Sequence, residues 1–179
     1  MTTALLLVVV LGALVAWGYN RLIRHRNLVA EARAGIDVQL LKRHQLVPAL
    51  VETVRGYARH EAETLEGVTA LRQPDRLSMD DLNRQERSLG DDIGRLFALA
   101  EDYPELRADE NFRQLSTQLV EVEDHLQYAR RYFNGTVRDY NNEVERFPSN
   151  LIAQTFRFRK AEFFEVDNAA QRRNPDVAL

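Results

Sequence analysis

The chain lacks several residue types that would point to particular classes of protein. It has no cysteine among its 179 residues, which excludes disulfide bonds and thiolate chemistry. Glycine and proline are scarce, with 8 and 5 residues, and this favours long helices over a loop-rich fold. Positive charge is not in excess, because 24 basic side chains face 27 acidic ones, so we expect no nucleic-acid partner.

Sequence motifs for catalysis and cofactor binding are also missing. There is no G-x-S-x-G, no P-loop and no G-x-G-x-x-G sequence. The four histidines stand neither in the Glu-x-x-His spacing of di-metal bundles nor in the HExxH spacing of zinc sites. We therefore expect that the protein is not an enzyme and uses no metal and no cofactor. Because catalytic triads assemble from distant residues, an enzyme with a site hidden between helices is kept as the least favoured hypothesis.

What the sequence does contain begins with a long apolar run. Residues 4–19 read ALLLVVVLGALVAWGY and carry no charge, and with their neighbours they supply the roughly 20 residues that span a bilayer. A cleaved signal peptide needs a basic stretch before the apolar run, whereas here the basic residues follow it, so we predict an uncleaved anchor. The side chains assigned to this anchor are Leu5, Leu6, Leu7, Val8, Val9, Val10, Leu11, Leu14, Val15, Trp17 and Tyr19.

A basic collar follows the apolar run and predicts its orientation. Arg21, Arg24 and Arg26 lie just after the span. The positive-inside rule then places the N-terminus outside and the rest of the chain, which we call the body, in the cytoplasm. Residues 27–179 carry 21 basic and 27 acidic side chains, so anionic headgroups attract the collar and repel the body. We predict a single-pass protein with the lipid bilayer as one partner.

The rest of the chain has the apolar periodicity of long helices, and no strand pattern is visible. A first stripe runs over residues 27–72, and Pro48 inside it either kinks one helix or separates two. Further stripes cover residues 79–100 and 109–146, and a short helix follows Pro148. We predict an all-α fold, with an N-terminal transmembrane helix followed by an antiparallel bundle of three long helices and one short one.

Composition divides the chain into three parts. Residues 1–26 form the anchor with its collar, and residues 27–167 form the cytoplasmic helical bundle. Residues 168–179 are polar and are expected to be a flexible tail.

The third stripe is the most regular, and it ends in the sequence ARRYFNGTVRDYNNEVERFPSN, residues 129–150. Its apolar positions step by three and four over five heptads, which indicates coiled-coil-like packing against neighbouring helices. This seam is predicted to continue into the core through Phe147. Four polar residues beside the seam are expected to be a polar flank or to form hydrogen bonds between helices, with a surface for partners as the alternative: Arg131, Asn134, Arg138 and Asn141.

Phenylalanines alternate with basic residues after the short helix. Such a cluster either dips into a membrane surface or folds over the end of the bundle. We favour the cap, because the open end of a bundle needs covering. The four phenylalanines are Phe156, Phe158, Phe163 and Phe164.

Several motifs, in order along the chain, resemble the LemA family of bacterial membrane proteins. They are YNRLIRHRN after the apolar run, LVPALVETVRGYARHEAETLE at 46–66, YPELRADENFRQL at 103–115 and RRYFN…YN…FP at 130–148. The resemblance covers nearly the whole chain. It implies a single span in the bacterial cytoplasmic (inner) membrane, a cytoplasmic helical bundle, and no established enzymatic activity or cofactor.

Two functional hypotheses follow. The first is a non-enzymatic, membrane-anchored helical scaffold that self-associates as a homo-oligomer or recruits a membrane protein partner, and so organises the cell envelope. The second is a membrane-remodelling protein that acts as a multi-copy assembly. The resemblance suggests the second one, because the family includes the magnetosome protein MamQ.

Overall fold

The computed structural model describes residues 1–58 and 79–164, and this part of the chain is helical with one extended segment and no strand. The predicted all-α class is therefore confirmed. The N-terminal helix is also long and apolar, as predicted. Along the chain the helices are α1 (Thr2–Tyr57), α2 (Met79–Glu101), α3 (Pro104–Ala108), α4 (Glu110–Glu145) and α5 (Ser149–Thr155).

The first helix carries both the apolar run and the first part of the body. α1 has 56 residues, which is about 84 Å at the helical rise. Pro48 lies inside it, and the helix continues to Tyr57, so Pro48 does not separate two helices. Helix α1 also passes residue 26, the predicted anchor boundary, without a break. Residues 59–72 of the predicted stripe, and the tail from residue 168, lie outside the described residues.

Helix α4 begins and ends where its sequence indicates. The Asp109 side chain caps it by accepting the N–H of Phe112 at 3.0 Å, which satisfies one of the free donors of the first turn. Seven of the predicted seam positions are buried: Phe112, Leu119, Val122, Leu126, Phe133, Val137 and Tyr140.

The seam does not reach Phe147, which is 74% exposed, so this part of the prediction is wrong. The helix ends at Glu145, before the Phe147–Pro148 bond, and the chain then turns into α5. A residue beyond the last helical turn no longer follows the 3.6-residue period, and its side chain leaves the core face.

The two longest helices, α1 and α4, pack along each other and form the axis of the body. Three polar contacts join them, and the partners' numbers rise along α1 as they fall along α4. Arg21 pairs with Glu143 at 3.0 Å, and Arg43 pairs with Glu123 at 2.5 Å. Near the other end, the Tyr57 hydroxyl donates to Asp109 at 2.9 Å.

Two groups of buried side chains lie along this axis. One joins α1, α2, α3 and α4 around Val54, Leu96 and Leu106. The other lies nearer the apolar run and joins α1, α2 and α4 around Ile36, Leu82 and Leu126. Phe164, from the extended segment after α5, completes the second group and is 2% exposed. The chain after α5 therefore contributes Phe164 to the core.

Candidate functional site

The N-terminal part of α1 contains most of the residues that the sequence singled out. From Leu5 to Trp17 the large apolar side chains of α1 are exposed, and only 6% of its apolar window is buried inside the protein. One helix in the described residues is long and apolar enough to cross a membrane, and it is α1. Tyr19 is half-buried, with its ring centroid 4.9 Å from that of Phe156 and 5.7 Å from that of Phe158.

The arginine collar holds the anchor against the body. Arg21 bridges the two, because its guanidinium pairs with Glu143 and lies 5.4 Å from the ring centroid of Trp17. Arg26 lies 5.6 Å from the ring centroid of Phe158. Arg24 is exposed. The structure therefore gives two of the three collar residues contacts with aromatic rings and leaves the third side chain exposed.

The turn from α4 into α5 crosses α1 at the end of the apolar run. Gly18 is buried there, and a Cβ atom at this position would overlap the Ile152 side chain. The absence of a side chain allows α5 to approach the backbone of α1 closely. Leu22, one turn further on, is 0% exposed. The body thus begins to cover α1 at Gly18, within the segment that the sequence assigned to the anchor.

The four phenylalanines of the aromatic cluster have different surroundings. Phe156 and Phe158 contact Tyr19 beside the apolar run. Phe164 is buried in the core, and the Arg130 guanidinium lies 4.7 Å from its ring centroid. Phe163 is 47% exposed. Neither the membrane interpretation nor the cap describes all four, because one ring belongs to the core and two lie against the anchor.

Asn134 and Asn141 hold an extended segment against α4. We name residues 157–164 the strap. Asn134 Nδ2 donates to the carbonyl of Phe164 at 2.8 Å, and its Oδ1 accepts the N–H of Phe164 at 2.9 Å. Asn141 makes the same pair of bonds with Ala161, at 2.9 and 2.8 Å. Hydrogen bonds between helices were one of the alternatives that the sequence left open, whereas these amides bind the backbone of the strap.

The spacing of the two asparagines matches the geometry of the strap. Seven residues of helix rise about 10.5 Å, and three residues of extended chain span about 10 Å. The amide groups of Asn134 and Asn141 therefore meet the backbone at Phe164 and Ala161. Tyr140 adds a third contact, because its hydroxyl donates to a strap carbonyl, that of Arg159, at 2.9 Å. Arg131 and Arg138, which share the seven-residue spacing, are exposed.

A left-handed residue turns the chain from α5 into the strap. Arg157 has a φ of 59°, and Phe158 N donates to the carbonyl of Ala153 at 2.9 Å. This is the hydrogen-bond pattern of a Schellman C-cap, in which glycine usually occupies the left-handed position. The strap can therefore leave α5 and run back along α4.

A buried ionic network, which the sequence analysis missed, joins α1, α2 and α4. Arg43 is 3% exposed and pairs with Glu86 of α2 at 2.7 Å and with Glu123 of α4. His44 Nε2 donates to Glu86 at 3.3 Å. Burial raises the pKa of Glu86, but the hydrogen bond from His44 and the charge of Arg43 outweigh it, so the pKa lies below its usual value. Burial lowers the pKa of the nearby Arg130.

This network compensates buried charges and is not a metal site. The described residues hold no group of three or more His, Asp or Glu side chains placed to bind a metal ion. Each carboxylate of the network faces an arginine, which offsets the cost of removing both charges from water. The one sequence feature that hinted at it is Arg43 itself, which occupies a position on the buried stripe of α1.

Comparison with known proteins identifies the family. The LemA family model matches residues 32–179, which is most of the chain. The chain belongs to the LemA family. Protein LemA of Metamycoplasma hominis is 27% identical over 152 residues, which cover 82% of this chain and 68% of that protein. Magnetosome protein MamQ 2 of Paramagnetospirillum magneticum and Magnetosome protein MamQ of Magnetospirillum gryphiswaldense are 34% and 31% identical over 76 and 75 residues.

The match to the MamQ proteins is local. It covers 42% of this LemA-family chain and 28% of each MamQ protein, so this chain spans little more than a quarter of their length. The LemA family match begins at residue 32, after the apolar run, and includes α2 to α5 and the strap. Two of the motifs that resemble the family, RRYFN and YN, contain Asn134, Tyr140 and Asn141, which hold the strap.

Proposed function

We propose that this LemA-family chain is a non-enzymatic helical scaffold anchored in the cytoplasmic membrane. Its N-terminus would lie outside, and an antiparallel bundle built on α1 and α4 would lie in the cytoplasm. The observation that carries the proposal is the continuity of α1. One unbroken helix has exposed apolar side chains up to Trp17, and a face buried in the body from Gly18 onwards. Such a helix holds the body at a fixed distance from the membrane.

The orientation rests on the arginines at the end of the apolar run. Arg24 is exposed at the level where α1 leaves the apolar segment, and Arg21 and Arg26 lie close to it on the same helix. Cationic side chains in this position favour the cytoplasmic side of a membrane.

Self-association is supported by exposed apolar residues on α4. Val120, Tyr128 and Tyr132 are 55%, 67% and 50% exposed. Their spacing in multiples of four places them along one ridge of the helix. Apolar side chains aligned in this way on a body surface are typical of a protein–protein contact. We propose that this ridge binds a second copy or a membrane protein partner.

The anchor can be tested by placing charges on it. Leu7→Arg with Leu11→Arg puts two arginines in the apolar run, and each costs about 2.5–3.5 kcal/mol near the centre of a membrane helix. We expect this variant to move to the soluble fraction of cells after carbonate extraction. The matched control is Val38→Arg with Leu41→Arg, at two exposed apolar positions of the same helix, 51% and 59% exposed. The control should stay in the membrane fraction, and equal behaviour of the two variants would remove the basis of the proposal.

The relatives support a second candidate function, membrane shaping by many copies. Relatives over part of the chain are named magnetosome proteins. A photocrosslinker at Tyr128, read by mass spectrometry in cells, identifies what this surface contacts. Crosslinks to one different protein favour a recruiting scaffold over membrane shaping, whereas crosslinks mainly to other copies of the chain fit both a self-associating scaffold and a membrane-shaping coat.

A further inference from the structure

The turn between α4 and α5 lies at membrane depth if α1 crosses the membrane. The charge-free run of α1 extends to Asn20, and the close contact of Gly18 with Ile152 places α5 beside its last turn. Leu22, one turn further on, is buried by protein. If α1 crosses the membrane, the outer side of α5, which covers Gly18, therefore faces lipid.

The outer side of this turn is apolar and exposed. Phe147 is 74% exposed, Leu151 is 56% exposed and Phe156 is 49% exposed. Phe147 and Leu151 line a groove with Trp17, which is 63% exposed on α1, and Phe156 contacts Tyr19. We name residues 146–156 the corner. Large apolar side chains grouped beside a membrane-spanning segment are what an interfacial element presents to the boundary between headgroups and acyl chains.

A groove of about 380 Å³ separates the corner from α1. Leu11, Leu14 and Trp17 form one wall, and Phe147 and Leu151 are on the other. From Leu11 to Arg21 the wall of α1 rises about 15 Å, which is half of a hydrocarbon core of roughly 30 Å. The groove thus has the length of one leaflet.

Three charged side chains line the groove, and two of them are positive. They are Arg21, Arg146 and Glu143. Glu143 pairs with Arg21, whereas Arg146 has no ion pair among the residues that the structure describes. A phosphate group is the anion that lies at this depth in a bilayer, and an arginine guanidinium matches its geometry.

We propose that the corner lies in the leaflet next to the body, and that the groove holds one acyl chain of a phospholipid whose phosphate lies beside Arg146. The inference rests on the proposed anchoring of α1. The bound lipid would fix the body at a set depth and widen its footprint in that leaflet.

Tryptophan fluorescence tests the proposal on the full chain, because Trp17 is its single tryptophan. The unmodified chain is reconstituted in phospholipid vesicles that carry bromine, a contact quencher of tryptophan, on one acyl chain. The test variant is Trp17→Phe with Leu151→Trp, which moves the tryptophan from the α1 wall of the groove to the corner. The control is Trp17→Phe with Leu41→Trp, which moves it to an exposed position about 36 Å further along α1.

We expect brominated lipid to reduce the emission of the Leu151→Trp variant about twofold or more, as for a side chain inserted at the acyl boundary. The Leu41→Trp control should keep its emission. Quenching of Trp17 in the unmodified chain together with an unquenched Leu151→Trp variant would overturn the inference and leave the anchor intact. If Trp17 is also unquenched, the anchor itself is wrong, and the inference falls with it.

A second variant replaces the first one if that variant misfolds. If Leu151→Trp lowers the helical content measured by circular dichroism, the same comparison is made with Trp17→Phe and Phe147→Trp, on the same wall of the groove. Phe147 is 74% exposed, so an indole at this position needs no repacking of the core. An unquenched indole there, in a variant that keeps its helical content, overturns the proposal in the same way.

Discussion

The nitrogen and the oxygen of the Asn141 side-chain amide both form hydrogen bonds with the backbone of Ala161. Its Nδ2 donates to the Ala161 carbonyl at 2.9 Å, and its Oδ1 accepts the Ala161 N–H at 2.8 Å. The two residues are 20 positions apart, on a helix and on an extended strap. In a sheet, the N–H and C=O groups of an extended segment bond to a neighbouring strand. At Ala161, which is half-buried, the amide of Asn141 forms these two hydrogen bonds instead.

Removing this amide should loosen the strap. Asn141→Ala deletes two hydrogen bonds and leaves the backbone groups of Ala161 without partners, so we expect a loss of about 2 kcal/mol in the free energy of unfolding. Asn142→Ala is the matched control, because Asn142 is the exposed neighbour on the same helix and should change stability by less than about 0.5 kcal/mol. Urea unfolding followed by circular dichroism compares the two. Equal midpoints would show that the strap contact adds nothing to stability.

Two adjacent phenylalanines should respond differently to truncation. Phe164 is 2% exposed and packed in the core, so Phe164→Ala should cost about 3–5 kcal/mol. Phe163 is 47% exposed, so Phe163→Ala should cost about 1 kcal/mol or less. Thermal unfolding of both variants provides the measurement. A larger loss for Phe163→Ala would mean that the strap presents its other face to the body.

The buried carboxylate of Glu86 should make stability depend on pH. Its pKa is lower in the folded protein than its ordinary value of 4.5, because His44 and Arg43 outweigh the effect of burial. The contribution of such a group is fully present above the unfolded pKa, and it is lost as pH falls through the folded pKa. We therefore expect the native protein to lose stability below about pH 4.5, with a shallower loss in Glu86→Gln.

The same variant should be less stable at neutral pH. Glu86→Gln removes one partner of a buried ion pair and leaves Arg43 with Glu123 alone, at a cost of about 3 kcal/mol. Glu110→Gln is the control, because its pair with Arg113 is exposed and contributes roughly 0–1 kcal/mol. Urea unfolding at pH 7 and pH 4 tests both statements. A pH profile of Glu86→Gln that matches the native protein would assign the acid sensitivity to other groups.

Local patterns explain why the helices could be predicted. The apolar stripe of α4 repeats every three or four residues, and Asp109 stands where a capping side chain is needed, so each turn of helix could be inferred from its neighbours. The prediction was wrong at Phe147, where the pattern continues past the end of the helix. The Phe147–Pro148 sequence, rather than the apolar spacing, indicated the end of α4.

The apolar run, its arginine collar and the all-helical class were determined by the sequence alone, because each depends on composition or on a period of a few residues. The tertiary structure decided which partners the polar residues bind and where the strap packs. Asn134 and Asn141 meet the strap 30 and 20 residues further on, and Arg43 meets Glu86 43 residues away. No local period encodes such contacts, because they exist only after α1, α2 and α4 have packed.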